Sequence, residues 1–222
     1  MHSVTLICSA HRARGRCSAE NLLGVLRALE PDVIFLEIPP SRFDQFLYGG
    51  MLEAEAVARY RDARLCRFAE VDTYQAPLEL APSKSDVDEL FDTVRLTSPE
   101  YCGLVDRMEA HTWEGGFRYL NSDAAAAESL KLEQLEDDAI HRSANPRLAQ
   151  TLASWRQLHV ARVREMVDNI HDHCRLNSCE RGVFLVGAAH RAGVIQEITA
   201  NADRTAIRWV LSPHEASYSA CR

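Results

Sequence analysis

Apolar runs of two kinds alternate along the chain. Val4-Thr5-Leu6-Ile7-Cys8, Val33-Ile34-Phe35-Leu36 and Val183-Phe184-Leu185-Val186 are short, apolar and rich in β-branched residues. Strands covered by helices on both faces of a parallel sheet have this composition. Leu65 to Val71 and Ala206 to Leu211 are less apolar and complete a set of five predicted strands. Between the first two, Ser18 is placed to cap a helix on which Leu22, Leu23, Leu26 and Leu29 recur at helical spacing, until Glu30-Pro31-Asp32 ends it. Strand, helix and strand in that order predict a right-handed parallel unit. Further helices are predicted from Met51 to about Asp62, after the Gly49-Gly50 break, and from Ala192 to about Asn201.

From Ser83 to about Asn177 the pattern is helical throughout, as in Val87-Leu90-Phe91-Val94 and Leu148-Leu152-Trp155-Leu158. The expectation is a single α/β domain over residues 1–222, with a mainly parallel central sheet flanked by helices. A long all-helical insertion, about 83–177, would cover the carboxyl ends of the strands or supply a homodimer surface.

Composition narrows the partners. The 222 residues carry a net charge of -7, which gives no support to a nucleic-acid or anionic-membrane surface. No stretch approaches the roughly 20 apolar residues of a spanning helix. Seven cysteines, at 8, 17, 66, 102, 174, 179 and 221, are odd in number and lack a CxxC pair. Reduced thiols and a cytoplasmic setting are the expectation.

Chemistry gathers at predicted strand ends, where ligands of such sheets collect. Ser9-Ala10-His11 follows the first strand and Gly187-Ala188-Ala189-His190 the fourth; if these strands are neighbours, the two histidines meet. Glu37 ends the second strand and Asp72 the third. Imidazole with carboxylate suits manganese, cobalt, iron or zinc, so His11, His190, Glu37 and Asp72 are the candidate metal ligands. Such an ion would acidify a bound water for attack on a carbonyl or phosphoryl group. Taken singly, Glu37 and Asp72 are equally compatible with helix capping or with pairing to Arg42 or Arg67. Arg12 beside His11 and Arg191 beside His190 suit a small, anionic ligand. GxSxG, HExxH, GxxxxGK[ST] and GxGxxG are absent. Ile170-His171-Asp172-His173-Cys174 matches no closed zinc spacing, and His111, His141 and His159 read as solvated or locally satisfied helix residues. Trp113, Trp155 and Trp209 read as packing, and Gly115-Gly116 as a hinge or an interhelical turn.

His11, then Pro31-Asp32-Val33-Ile34-Phe35-Leu36-Glu37 with Arg42 five residues on, and finally Gly187-Ala188-Ala189-His190, resemble the TraB/PrgY family. Its superfamily also holds Tiki proteases, erythromycin esterase and ChaN-like haem-binding proteins. Gly50-Met51-Leu52-Glu53-Ala54-Glu55-Ala56, Val71-Asp72 and Arg162 on the last long helix of the insertion are similar to further family positions. The first motif departs from the family, with Cys8 in place of its leading glycine. The resemblance implies a metal-assisted hydrolase of peptide, ester or related bonds, acting on a small molecule or peptide. Glu37 and Glu53 would serve as ligand or general base, and Arg42 and Arg162 would hold an anionic group or oxyanion. It equally admits a metal-independent esterase-like hydrolase, or a protein that binds haem or another small ligand without turnover.

Overall fold

The computed structural model describes residues 2–72, 81–177, 180–201 and 207–211. Five strands, β1 (His2–Ser9), β2 (Val33–Leu36), β3 (Arg67–Glu70), β4 (Arg181–Gly187) and β5 (Ile207–Val210), form one all-parallel sheet in the order β3-β2-β4-β1-β5. The third strand is shorter than its apolar run because Leu65 is fully exposed, outside the ladder. Ala206, the predicted start of the fifth, lies outside the described residues.

Helices α1 (Ala19–Leu29), α2 (Phe43–Leu47) and α3 (Leu52–Ala63) follow the first two strands. Four helices then run in succession: α4 (Lys84–Thr97), α5 (Pro99–Leu120), α6 (Asp123–Ser143) and α7 (Pro146–Leu176). A 3-10 turn, Ala188–His190, leads from β4 into α8 (Arg191–Ala200). Ser18 accepts a hydrogen bond from the Asn21 amide and so starts α1 where the sequence places it.

Strand alternation divides the core. Ile7, Ile34, Leu36, Val183 and Leu185 face one side, packed on Leu22, Leu23 and Leu26 of α1 and Val57 and Tyr60 of α3. Val4, Leu6, Cys8, Phe35, Phe184 and Val186 face the other, against Val163, Met166 and Ile170 of α7 and Val194 of α8. The connection leaving β1 therefore crosses one face and that leaving β4 the opposite face. The reversal falls between β1 and β4, and in doubly wound sheets the carboxyl edge at such a reversal is where ligands bind.

The insertion has its own apolar centre, with Leu90 and Val94 of α4, Leu104 of α5, Ala139 of α6, and Leu148 and Leu152 of α7. Helix α7 thus begins in this bundle and ends in the sheet layer. Among the described residues no helix is long and apolar enough to cross a membrane, and no disulfide is formed.

Because one helix serves both cores, unfolding is expected to be a single cooperative transition. Met166→Ala in the sheet layer and Leu90→Ala in the bundle, both at fully buried positions, should each cost about 2–5 kcal/mol. Denaturant titrations followed by circular dichroism and by tryptophan emission should coincide in both variants; separated midpoints would show two independently melting units.

Candidate functional site

Pairing of β1 with β4 sets Ser9 opposite Gly187, and so brings the ends of the two histidine motifs together. Glu37 follows β2 between them. Its side chain, 10% exposed, receives a 2.6 Å hydrogen bond from the Gly187 amide on Oε2. On Oε1 it meets His190 Nε2 at 3.1 Å and Arg162 Nη2 at 3.0 Å. Burial pushes the carboxyl upward, but the hydrogen bond and charge of His190, the Gly187 amide and the charge of His11 outweigh it, leaving a pKa of about 2. Glu37 is an ionised, fixed acceptor.

His11 lies beyond the end of β1 with φ of 57°, a left-handed conformation that a histidine adopts at a cost. Its carbonyl accepts from the Leu52 amide at 3.1 Å, which seats the loop on the first turn of α3. From that turn Glu53, 5% exposed, accepts from His11 Nδ1 at 2.8 Å and from the Ser9 hydroxyl. The Glu53 hydrogen bond, opposed by burial, raises the His11 pKa above its ordinary value. The same bond and the Ser9 hydroxyl lower that of Glu53 against the effect of burial. Nδ1 being committed, the free face of the ring is Nε2. It stands 3.9 Å from Glu37 Oε2, and the His11 side chain is 47% exposed. A Cβ on Gly187 would come within 2.5 Å of this Nε2, so the second motif needs its glycine to admit the ring of the first.

Arg162, from α7, spans Asp72 with two bonds, Nε to Oδ1 at 3.2 Å and Nη2 to Oδ2 at 2.7 Å, and reaches Glu37 with the same Nη2. Both carboxylate oxygens of Asp72 are thereby engaged by the arginine. A guanidinium 3.0 Å from Glu37 Oε1 puts a positive charge where an ion bound to that oxygen would sit. Among the described residues no three His, Cys, Asp or Glu side chains are arranged to hold a metal ion. Of the four candidate ligands, His11, His190 and Glu37 lie together at the strand ends, and Asp72 is bonded to Arg162. Arg42 stands apart: its guanidinium meets Gln45 on α2, and its amide, with those of Ser41 and Phe43, donates to Glu70 at the end of β3.

Ser9, Asn121 and His159 were not foreseen as contributors. Ser9 anchors Glu53. Asn121, buried at the end of α5, brackets the backbone of Cys8, accepting from its amide at 2.8 Å and donating to its carbonyl at 3.2 Å. Upstream in α5, Gly116 breaks the helix at φ 54° and ψ -137°, and the Trp113 carbonyl accepts from the Arg16 amide at 2.9 Å. A Cβ on Gly116 would come within 2.6 Å of the Arg16 carbonyl. Gly116 is therefore the break between two helical segments, as the interhelical reading expects, and its bare backbone also seats Arg16 of the loop that follows His11, with Trp113, 64% exposed, alongside. The third is His159. It is not solvated: its ring stacks on His190 at 4.9 Å and lies 4.3 Å from Trp155. Trp155, His159, Arg162 and Met166, at intervals of four, three and four, share one face of α7, a spacing visible in the sequence.

Cys8 faces the opposite layer, where burial drives its thiol up to about 12 despite the opposing charge and hydrogen bond of Arg191. It is a packing residue and not a nucleophile. Searches against protein-family models, curated proteins and solved structures found no match to this chain.

Two outcomes follow from this geometry. Asn121→Ala removes the partners of two buried backbone groups and should cost about 1–3 kcal/mol, read by denaturant unfolding. Glu37 has a folded-state pKa of about 2, below its ordinary value of 4.5, so its contribution to stability is complete above the ordinary value and fades as pH falls toward 2. The stability advantage of the parent over Glu37→Gln should shrink across that window and be flat above it.

Proposed function

We propose that the chain is a metal-independent hydrolase of ester or related acyl bonds, in which His11 is the general base. The observation that carries this reading is the His11–Glu53 pair, with Nδ1 held at 2.8 Å and Nε2 left facing Glu37 across 3.9 Å. That gap is too long for a hydrogen bond, so the Nε2 of the half-exposed ring stays available to an incoming water. Glu53 fixes the tautomer that presents a lone pair at Nε2, and by raising the His11 pKa makes it a stronger base near neutrality. His11 would take a proton from the water as its oxygen attacks the carbonyl carbon. Collapse of the tetrahedral adduct would return that proton from the imidazolium to the leaving oxygen. Arg162 Nη1, which has no hydrogen-bond partner among the described residues, would stabilise the transient oxyanion while Nε and Nη2 hold the group in place. The resemblance to the TraB/PrgY superfamily, whose esterase members work without metal, agrees with this assignment; its metal-dependent members supply the competing reading.

A panel of p-nitrophenyl esters tests both. Hydrolysis should survive EDTA and fall about 10²–10⁴-fold in His11→Gln. A base with a raised pKa loses activity as pH falls through that value. In Glu53→Gln the acid limb should therefore move to lower pH while the plateau rate declines. Loss of activity in EDTA, restored by manganese, cobalt, iron or zinc, would replace this reading with metal-assisted hydrolysis.

A further inference from the structure

Among the described residues the polar contact given for the His190 ring is its Nε2 on Glu37 Oε1, and a ring pinned at one atom can still tilt about that bond. The second constraint on it is aromatic. His159 lies against His190 with centroids 4.9 Å apart and planes inclined by 26°. Trp155 backs His159 at 4.3 Å, and Phe91 of α4 meets the Trp155 ring edge-on at 6.3 Å and 81°. Four rings thus run from the insertion to the 3-10 turn after β4. Among the described residues His159 Nε2 is buried without a hydrogen-bond partner, so no polar contact of that atom there explains the ring's place. What the ring offers its neighbours is a flat surface.

We propose that His159 is a positioning residue, a stacked partner that holds His190 Nε2 on Glu37. It acts through His190 without touching substrate. With the ring fixed, Glu37 keeps Oε1 engaged by His190 and Arg162, and Oε2 stays aimed at the space before His11. The catalytic part of this inference rests on the general-base reading above. The stacking part does not.

The test uses the full chain labelled with ¹⁵N-histidine. The hydrogen-bonded proton on His190 Nε2, assigned by its disappearance in His190→Gln, should be visible in the parent. It should be lost to exchange in His159→Ala and recovered in His159→Phe. With a p-nitrophenyl ester that the parent hydrolyses, His159→Ala should lower kcat by about tenfold or more at unchanged KM. His159→Phe should restore it. An unaltered His190 proton in folded His159→Ala overturns the proposal. Failure of His159→Phe to restore the signal, with circular dichroism unchanged, overturns it in favour of a polar role for Nε2. If the parent hydrolyses no ester, the general-base reading fails alone, and the nitrogen spectra still decide the stack.

Discussion

An ionised carboxylate buried at the edge of a parallel sheet is the constraint around which the carboxyl end of this molecule is arranged. Glu37 cannot keep its charge out of water without donors, and the chain delivers them from separate elements. Gly187 and His190 come from the end of β4, Arg162 from α7, and the neighbouring His11 from the loop after β1. Arg162 in turn is balanced by Asp72 beyond β3. Satisfying one charge draws four strand ends and the insertion toward a common point.

The His11 loop is governed by a different balance. Its left-handed residue is unfavourable taken alone, and persists because both flanks are held: Cys8 by Asn121, Arg16 by the interrupted turn of α5, and His11 itself by the Leu52 amide. Strain overdetermined by its surroundings in this way is characteristic of sites that are set before a ligand arrives. Gly187 is the complementary device on the β4 side, where absence of a side chain lets the imidazole lie against the backbone.

Much of this was legible in the sequence. The β-branched runs located β1, β2 and β4, and identical local context at their ends marked His11 and His190 as partners, since similar motifs after similar strands converge when the strands pair. Glu37, Glu53, Asp72 and Arg162 were visible as acids and a base at strand ends and on adjoining helices. Which of them touch was not visible, because that depends on the face each helix presents. Asp72 went to Arg162, Glu53 to His11, and Arg42 to its own short helix. Asn121 escaped notice because its partners at Cys8 are backbone atoms more than a hundred residues away, and the closeness of Gly116 to Arg16 was hidden for the same reason, since such contacts leave no pattern in a linear text. His159 was hidden among other helical histidines, although its spacing to Trp155 and Arg162 placed it on the site-facing side of α7.

Helix α7 has one end in the apolar centre of the insertion and the other end against the sheet, with Arg162 and His159 between. A rigid rod anchored in this way is a lever. A small rotation of its bundle end, from a substitution or a bound partner far from the strand ends, would swing a guanidinium and an imidazole together against Glu37.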